Sequence, residues 1–170
     1  MRIILACALA GILSVPAKAD ETLRFRYIGH PASPVQRHEA GEVAGHVVGL
    51  FANKGTAIFP EGTTAPSVIY THEPPSVGYW TGTFDYTNLN GPYVGYFTLT
   101  LRDNSVLWYK VTGKSEFGGK VFSSAGTVTV IGGKGRFEGA KGDGNVAQML
   151  VESPEAGGDT FGEAIINLKK

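Results

Sequence analysis

The stretch that decides the fold is GGKGRFEGAKGDG, residues 132–144, which holds six glycines and a single aromatic side chain, Phe137. Sequence with strand character lies on both sides of it, at residues 123–131 and 145–151. A glycine-rich connection between strands is typical of backbone that needs positive φ angles or a close approach to a neighbouring strand. We therefore expect a β-sheet connection that Phe137 ties to the core.

Alternation of apolar and polar residues recurs along the chain, and helical periodicity is nearly absent. Leu23, Phe25 and Tyr27 alternate with two arginines, which predicts a strand with one buried face. About eight to ten such short strands, joined by turns, predict a sandwich or an up-and-down barrel. We expect residues 29–40 to be irregular and to lie across a barrel mouth. The other strand candidates are residues 42–51, 55–59, 67–71, 78–87, 95–101, 105–112, 121–131 and 160–168, with turns at 60–63, 88–92 and 103–104.

The first nineteen residues have the pattern of a secretory signal peptide. A positive start at Arg2 precedes an apolar run, and residues 17–19 form a small-x-small cleavage site before Asp20. We therefore expect a secreted or periplasmic protein with one domain, residues 20–170. Lipoprotein processing at Cys7, the only cysteine of the chain, is the alternative interpretation.

Composition narrows the classes of function. Acidic and basic residues balance at 15 each without a basic cluster, so we expect no nucleic-acid partner. No second long apolar run follows the leader, so we expect no membrane span. Because the mature chain has no cysteine, it has no disulfide framework and no thiolate nucleophile. Residues 142–147 fit a G-x-G-x-x-A pattern but precede strand-like sequence, so we expect no nucleotide cofactor. No pair of histidines has helical i, i+4 or H-x-H spacing, so we expect no metal site.

Three stretches carry a resemblance to a known family. Residues 129–142 are the specific match, and they look like that family's glycine-rich strand connection. Weaker matches are residues 45–54, which include Phe51 and Asn53, and the dipeptide Ser33-Pro34. Together these stretches resemble the allene oxide cyclase-like barrel family, whose distant relatives are the dirigent proteins.

The resemblance implies a single antiparallel eight-stranded up-and-down barrel with an apolar cavity, often assembled as a homo-trimer. In the cyclases this cavity folds a reactive fatty-acid epoxide so that it closes with one handedness. On that pattern Ser33, Pro34 and Asn53 would form a corner that holds a water molecule. The family's glutamate on the first strand has an apolar counterpart here, near Phe25.

His46 is the histidine with the clearest functional pattern. It lies in an apolar strand candidate and shares a face with Val48 and Leu50. If that face points inward, His46 is a buried imidazole able to donate a hydrogen bond or to act as a base. The face that carries Tyr79 and Asp85 is expected to point to solvent, because outward polar alternation is the common case.

Nine aromatic residues fall between positions 79 and 109 and predict either barrel core or the wall of a ligand cavity. We assign ligand binding to Pro34, Phe51, Tyr96 and Trp108. The ligand that such a wall predicts is a small apolar molecule.

Two functions from different classes remain open. The first is an intramolecular cyclase or isomerase that acts by conformational restriction and exclusion of water, with Asn53, His46 and Ser33 as catalytic residues. The second is a non-catalytic, dirigent-like protein that binds a small hydrophobic ligand outside the cytoplasm. A third option is a barrel filled by its own side chains, with function carried by loops or a subunit interface.

Overall fold

The computed structural model describes residues 20–59, 76–119, 121–150 and 158–169. The predicted signal peptide, the turn at residues 60–63 and the strand candidate at residues 67–71 lie outside the described residues. The described elements are β1 (Glu21–Pro31), β2 (Gln36–Glu39), β3 (His46–Ile58), β4 (Ser76–Thr87), β5 (Gly91–Thr100), β6 (Val106–Phe117), β7 (Phe122–Lys134), a 3₁₀ turn (Gly135–Phe137), β8 (Lys141–Leu150) and β9 (Thr160–Lys169).

The strands close into a barrel. Neighbours follow the order β1-β9-β8-β7-β6-β5-β4-β3, every pair is antiparallel, and β1 pairs with β3 to complete the ring. The short strand β2 pairs with the first half of β3. The predicted fold, all-β with a single antiparallel eight-stranded barrel, is therefore confirmed.

A bulge at Ser33 and Pro34 connects β1 to β2 along the edge of β3. Pro31 lies opposite Asn53 and Gln36 lies opposite Leu50. The chain therefore advances five residues from Pro31 to Gln36 while β3 advances only three. Proline is tolerated at such a bulge because no ladder hydrogen bond is required there. The segment that we expected across the barrel mouth is instead mostly paired with β3.

The clearest differences from the sequence expectation are in β3 and in the hairpin between β4 and β5. Residues 42–51 and 55–59 were predicted as two strands, but His46–Ile58 is one continuous strand. The hairpin between β4 and β5 turns at Asn88 and Leu89, whose φ angles are 52° and 65°, rather than at the Asn-Gly pair that follows. Two positive φ angles give the twist that a two-residue hairpin loop requires.

The inner face of the barrel forms the core, and Phe137 closes one end of it. Leu23, Phe25 and Tyr27 are buried to 5% exposure or less, as their alternation predicts. Phe137 is fully buried and folds back over Gly133, which confirms its expected role in tying the connection to the core. Most of the glycine-rich stretch is strand, because β7 runs to Lys134 and β8 begins at Lys141.

Arg136 fastens this closed end from outside. Its guanidinium forms an ion pair with Glu21 on β1 and lies 5.2 Å from the centroid of the Phe137 ring. The 3₁₀ turn is thus tied to the first strand as well as to β7 and β8.

Candidate ligand-binding site

Interior aromatic rings pack against glycines of other strands. The ring of Trp80 on β4 covers Gly29 on β1, and the ring of Tyr27 on β1 covers Gly162 on β9. A Cβ atom at either glycine would overlap the ring that covers it. Because the glycines carry no side chain, these rings pack along the wall of the barrel.

A stack of four rings forms the centre of the barrel. Trp80 and Phe97 are parallel with centroids 5.6 Å apart, and Phe97 and Tyr109 are parallel at 4.9 Å. Tyr27 meets Trp80 edge-on at 5.5 Å. Such geometries are favourable for aromatic pairs, so this part of the interior is filled by the protein's own side chains.

A cavity of about 100 Å³ lies at the end of the barrel opposite Phe137. It lies at the beginning of β7 and the end of β8, whereas Phe137 lies between the end of β7 and the beginning of β8. Among the described residues that line the cavity, Arg37 is the only charged side chain. The wall is otherwise mainly apolar and includes Val35, Val47, Phe51, Phe84, Leu89 and Leu150.

A row of polar side chains crosses this apolar wall at one level. The hydroxyl oxygen of Tyr86 lies 2.8 Å from Ser115 Oγ, which lies 2.8 Å from Ser124 Oγ. Ser124 is paired in register with Gln148, whose Oε1 accepts a hydrogen bond of 2.7 Å from the Tyr27 hydroxyl. We call these five residues the polar row; their hydroxyl and amide groups are largely satisfied by one another.

Tyr93 differs from the polar row because its hydroxyl has no hydrogen-bond partner among the described residues. The residue is 3% exposed, lines the cavity, and crosses Gly113 to reach Gly126 on β7. A buried hydroxyl without a partner costs about 1–3 kcal/mol, so native structures rarely retain one without a reason. Because the Tyr93 side chain lines the cavity, its hydroxyl is the candidate donor for a polar ligand atom bound there.

Burial keeps the interior tyrosines neutral. Desolvation raises the pKa of Tyr86 to about 12, although its hydrogen bond to Ser115 acts in the opposite direction. Desolvation also raises the pKa of Tyr27, Tyr93 and Tyr109 well above the usual range. At neutral pH these phenols therefore donate hydrogen bonds and do not serve as bases.

Alkaline pH is expected to destabilise the barrel. The pKa of Tyr86 is raised from 10.0 to about 12 on folding, so the folded state binds more protons in that interval. The stabilising contribution is fully present below about pH 10 and is lost as the pH rises through the folded-state value. Urea unfolding followed by circular dichroism at several pH values should show stability falling above pH 10. Tyr86→Phe should lessen the fall without removing it, because burial also raises the pKa of Tyr27, Tyr93 and Tyr109.

Asn53 and Phe51 reach the cavity from β3. With the Asn53 amide oriented to satisfy both neighbours, its Oδ1 accepts from Trp80 Nε1 at 3.0 Å and its Nδ2 donates to the Ala52 carbonyl at 3.2 Å. The side chain is thus held in one orientation at the cavity wall.

His46 lies on the outer face of the barrel with its side chain 28% exposed, so the condition for a buried imidazole, an inward-pointing face, is not met. Its Nε2 is 2.8 Å from Oδ1 of Asp85 on β4, and Val48 and Leu50 on the same face are 36% and 50% exposed. Inward positions on β3 are instead taken by Val47 and Phe51. The expectation that the face of Asp85 points to solvent is confirmed.

The remaining predicted site residues also lie away from the cavity. Ser33 and Pro34 border a groove on the outer surface, and Tyr96, 53% exposed, borders the same groove. Trp108 lies on the outer face of β6, with Lys134 Nζ 5.5 Å from its ring centroid. The structure therefore does not bring Asn53, His46 and Ser33 together.

Sequence reasoning missed the polar row and Tyr93. Their residue types are ordinary for strands, and they are contributed by β1, β4, β5, β6, β7 and β8. The available signal was that Tyr86 and Tyr93 occupy inward-pointing positions of one hairpin. Which positions of a strand point inward could be assigned only once the register was known.

Neither a metal centre nor a membrane helix is found in the part of the chain that the structure describes. No group of three or more His, Cys, Asp or Glu side chains in the described ranges is arranged to hold a metal ion. No helix there is long and apolar enough to cross a membrane.

These features define a class of protein, a closed eight-stranded antiparallel barrel with a mainly apolar cavity at one end. Among solved structures, a pterocarpan synthase dirigent protein is similar, with a TM-score of 0.48 and 13% identity over 88% of this chain and 89% of that chain. At this identity the likeness concerns the fold alone. No family model matches the sequence, and no curated protein matches it.

Proposed function

We propose that the protein binds a small, mainly apolar molecule with one hydrogen-bonding group in the barrel cavity and holds it in a fixed orientation. The main observation behind this proposal is the Tyr93 hydroxyl, which is buried without a hydrogen-bond partner among the described residues, on a side chain of the cavity wall. Ligand sites are typically apolar pockets with a few placed polar groups, and this cavity has that composition. A cavity of about 100 Å³ suits a molecule or substituent the size of a single ring.

The lining favours binding or substrate guidance over acid–base catalysis. Among the described lining residues there is no carboxylate, histidine or lysine, and the tyrosines are neutral. A cyclase-type reaction is the second candidate, and the position of Asn53 on the cavity wall is the observation that favours it. It would act mainly by restricting the conformation of the bound molecule and excluding water.

Two tyrosine variants are expected to change stability in opposite directions. Tyr93→Phe removes an unpartnered hydroxyl and should raise the free energy of unfolding by about 1 kcal/mol, whereas Tyr86→Phe breaks a satisfied bond and should lower it by about 1 kcal/mol. Urea denaturation of both variants measures this difference. A destabilised Tyr93→Phe would mean that the hydroxyl already has a partner.

Ligand binding by the same variants tests the proposed function. Acetophenone and α-methylstyrene have similar shapes, but only the ketone can accept a hydrogen bond. We expect the wild-type protein to bind the ketone about tenfold more tightly than the alkene, because one hydrogen bond contributes roughly that much affinity. The Tyr93→Phe variant should bind both probes with equal affinity. Titration calorimetry measures the preference, and a failure of either probe to bind would argue against the cavity site.

We further propose that the protein acts outside the cytoplasm, after removal of residues 1–19, and as a homo-trimer. The leader pattern supports export, and the sequence resemblance supports the trimer. The native mass of the exported protein and its N-terminal sequence test both points. A chain beginning at Asp20 and a mass of three chains are expected, and an intact leader or a monomer would contradict them.

A further inference from the structure

We propose a second binding site, on the outer face of β3–β7 near the closed end, for a chain of acidic sugars. The site consists of aromatic rings that each have a lysine on an adjacent strand, and we call it the aromatic–lysine face. The pairs are Tyr79 with Lys54, Tyr96 with Lys110, and Trp108 with Lys134.

Register places the three pairs side by side. Lys54 lies opposite Tyr79, and Tyr79 lies opposite Thr98, which in turn lies opposite Trp108. The two rings are thus two strands apart, about 10 Å, which is comparable with the length of a disaccharide. Tyr96 is two residues from Thr98 on the same face, so its ring lies diagonally between the other two.

The tyrosine rings of this face are available to a partner. Tyr79 is 48% exposed and Tyr96 is 53% exposed, whereas the interior tyrosines are 8% exposed or less. A groove of about 380 Å³ runs beside Tyr96 towards the bulge at Ser33 and Pro34. The half-exposed rings of Tyr79 and Tyr96, of which Tyr96 borders the groove, offer flat apolar surfaces on which the apolar face of a sugar ring can pack.

The charge of the face selects an anionic partner. Among the described outward strand residues in the closed-end half of β3–β7 there are three lysines and no carboxylate, and the β5–β6 loop at this end adds Arg102 and Asp103, one charge of each sign. On the opposite wall positive and negative side chains lie next to each other, as in the ion pairs Arg24–Glu163 and Lys169–Asp143. A one-sign patch on an otherwise balanced protein attracts a ligand of opposite charge.

Acidic sugars fit this face better than a nucleic acid. Nucleic-acid binding usually draws on more phosphate contacts than three lysines supply, and arginine is absent from the described strand residues of the face. The hydroxyls of Thr81 and Thr98 lie between the rings, where they can donate to and accept from sugar hydroxyls. A chain of uronic acids provides both features, because its sugar rings can stack on tyrosine and its carboxylates can pair with lysine.

The test uses hexagalacturonate, its methyl ester and an oligothymidylate of similar length. We expect the full-length mature protein to bind the acid at least tenfold more tightly than the ester, with affinity falling as salt rises. Lys54→Gln combined with Lys110→Gln should reduce binding about tenfold, and Tyr96→Ser combined with Trp108→Ala should reduce it by a similar factor.

Controls come from the opposite wall of the same barrel. Phe161→Ser removes an aromatic ring that is 40% exposed, and Lys141→Gln removes a lysine on the outer face of β8. Neither should change the affinity, and circular dichroism of every variant checks the fold. Absence of binding, equal binding of acid and ester, or equal loss in the control variants would overturn the proposal. Preferential binding of oligothymidylate would also overturn it and would point to nucleic acid.

Discussion

Phe137→Ala should destabilise the protein by about 3–5 kcal/mol, the usual loss when a buried phenylalanine is truncated. Phe137 is 0% exposed and closes one end of the barrel over Gly133. Its removal leaves a cavity that the flanking strands cannot collapse to fill, because β7 and β8 are fixed by their ladders. Thermal and urea unfolding of the variant measure the loss.

The matched control for this prediction is Phe117→Ala. Phe117 is 36% exposed at the end of β6, so its truncation should cost less than about 1 kcal/mol. If both variants lost the same stability, the plug formed by Phe137 would have no special role. If Phe137→Ala does not fold, Phe137→Leu provides a milder variant, with an expected loss of about 1–2 kcal/mol.

Gly29→Ala is expected to cost about 3 kcal/mol, at the upper end of the range for overpacking a core. A Cβ at Gly29 would overlap the six-membered ring of Trp80, which is 3% exposed and stacked on Phe97. The ring cannot move away without breaking that stack and the bond between Trp80 Nε1 and Asn53.

Gly78→Ala is the matched control, since Gly78 borders the same ring. Its added Cβ would meet Trp80 at 3.4 Å, an ordinary van der Waals contact. We expect a change within about 1 kcal/mol, measured by the same urea unfolding. Equal losses at both glycines would indicate a general strand effect of alanine rather than a steric requirement at Gly29.

The sequence identifies the barrel because its local signals agree with one another. Leu23, Phe25 and Tyr27 alternate cleanly with arginines, so one face could be assigned to the core without a structure. The isolated Phe137 among glycines likewise had a single reasonable partner, the core beneath it. In both cases the chemistry of neighbouring residues fixed the direction of the side chain.

Of the residues named from the sequence, Phe51 and Asn53 do line the cavity, but the rest of the site could not be predicted, because side-chain direction depends on long-range register. Strand β3 carries apolar residues on both faces, so no local signal showed whether His46 points inward, and its direction was left open. Tyr96-Phe97 and Trp108-Tyr109 are adjacent aromatic pairs, and adjacent residues on a strand point to opposite faces. One ring of each pair must lie outside, and only pairing with neighbouring strands shows that it is Tyr96 and Trp108.

The most direct test of a ligand-binding barrel is native mass spectrometry of the mature protein purified from its own exported fraction. We predict a bound molecule that is small and mainly apolar, carries one hydrogen-bonding group, and is lost or weakened in Tyr93→Phe. Extraction would then identify its chemical class, which can be tested for turnover. A mass without any ligand, together with no uptake of acetophenone or α-methylstyrene, would contradict the account and indicate a barrel filled by its own side chains.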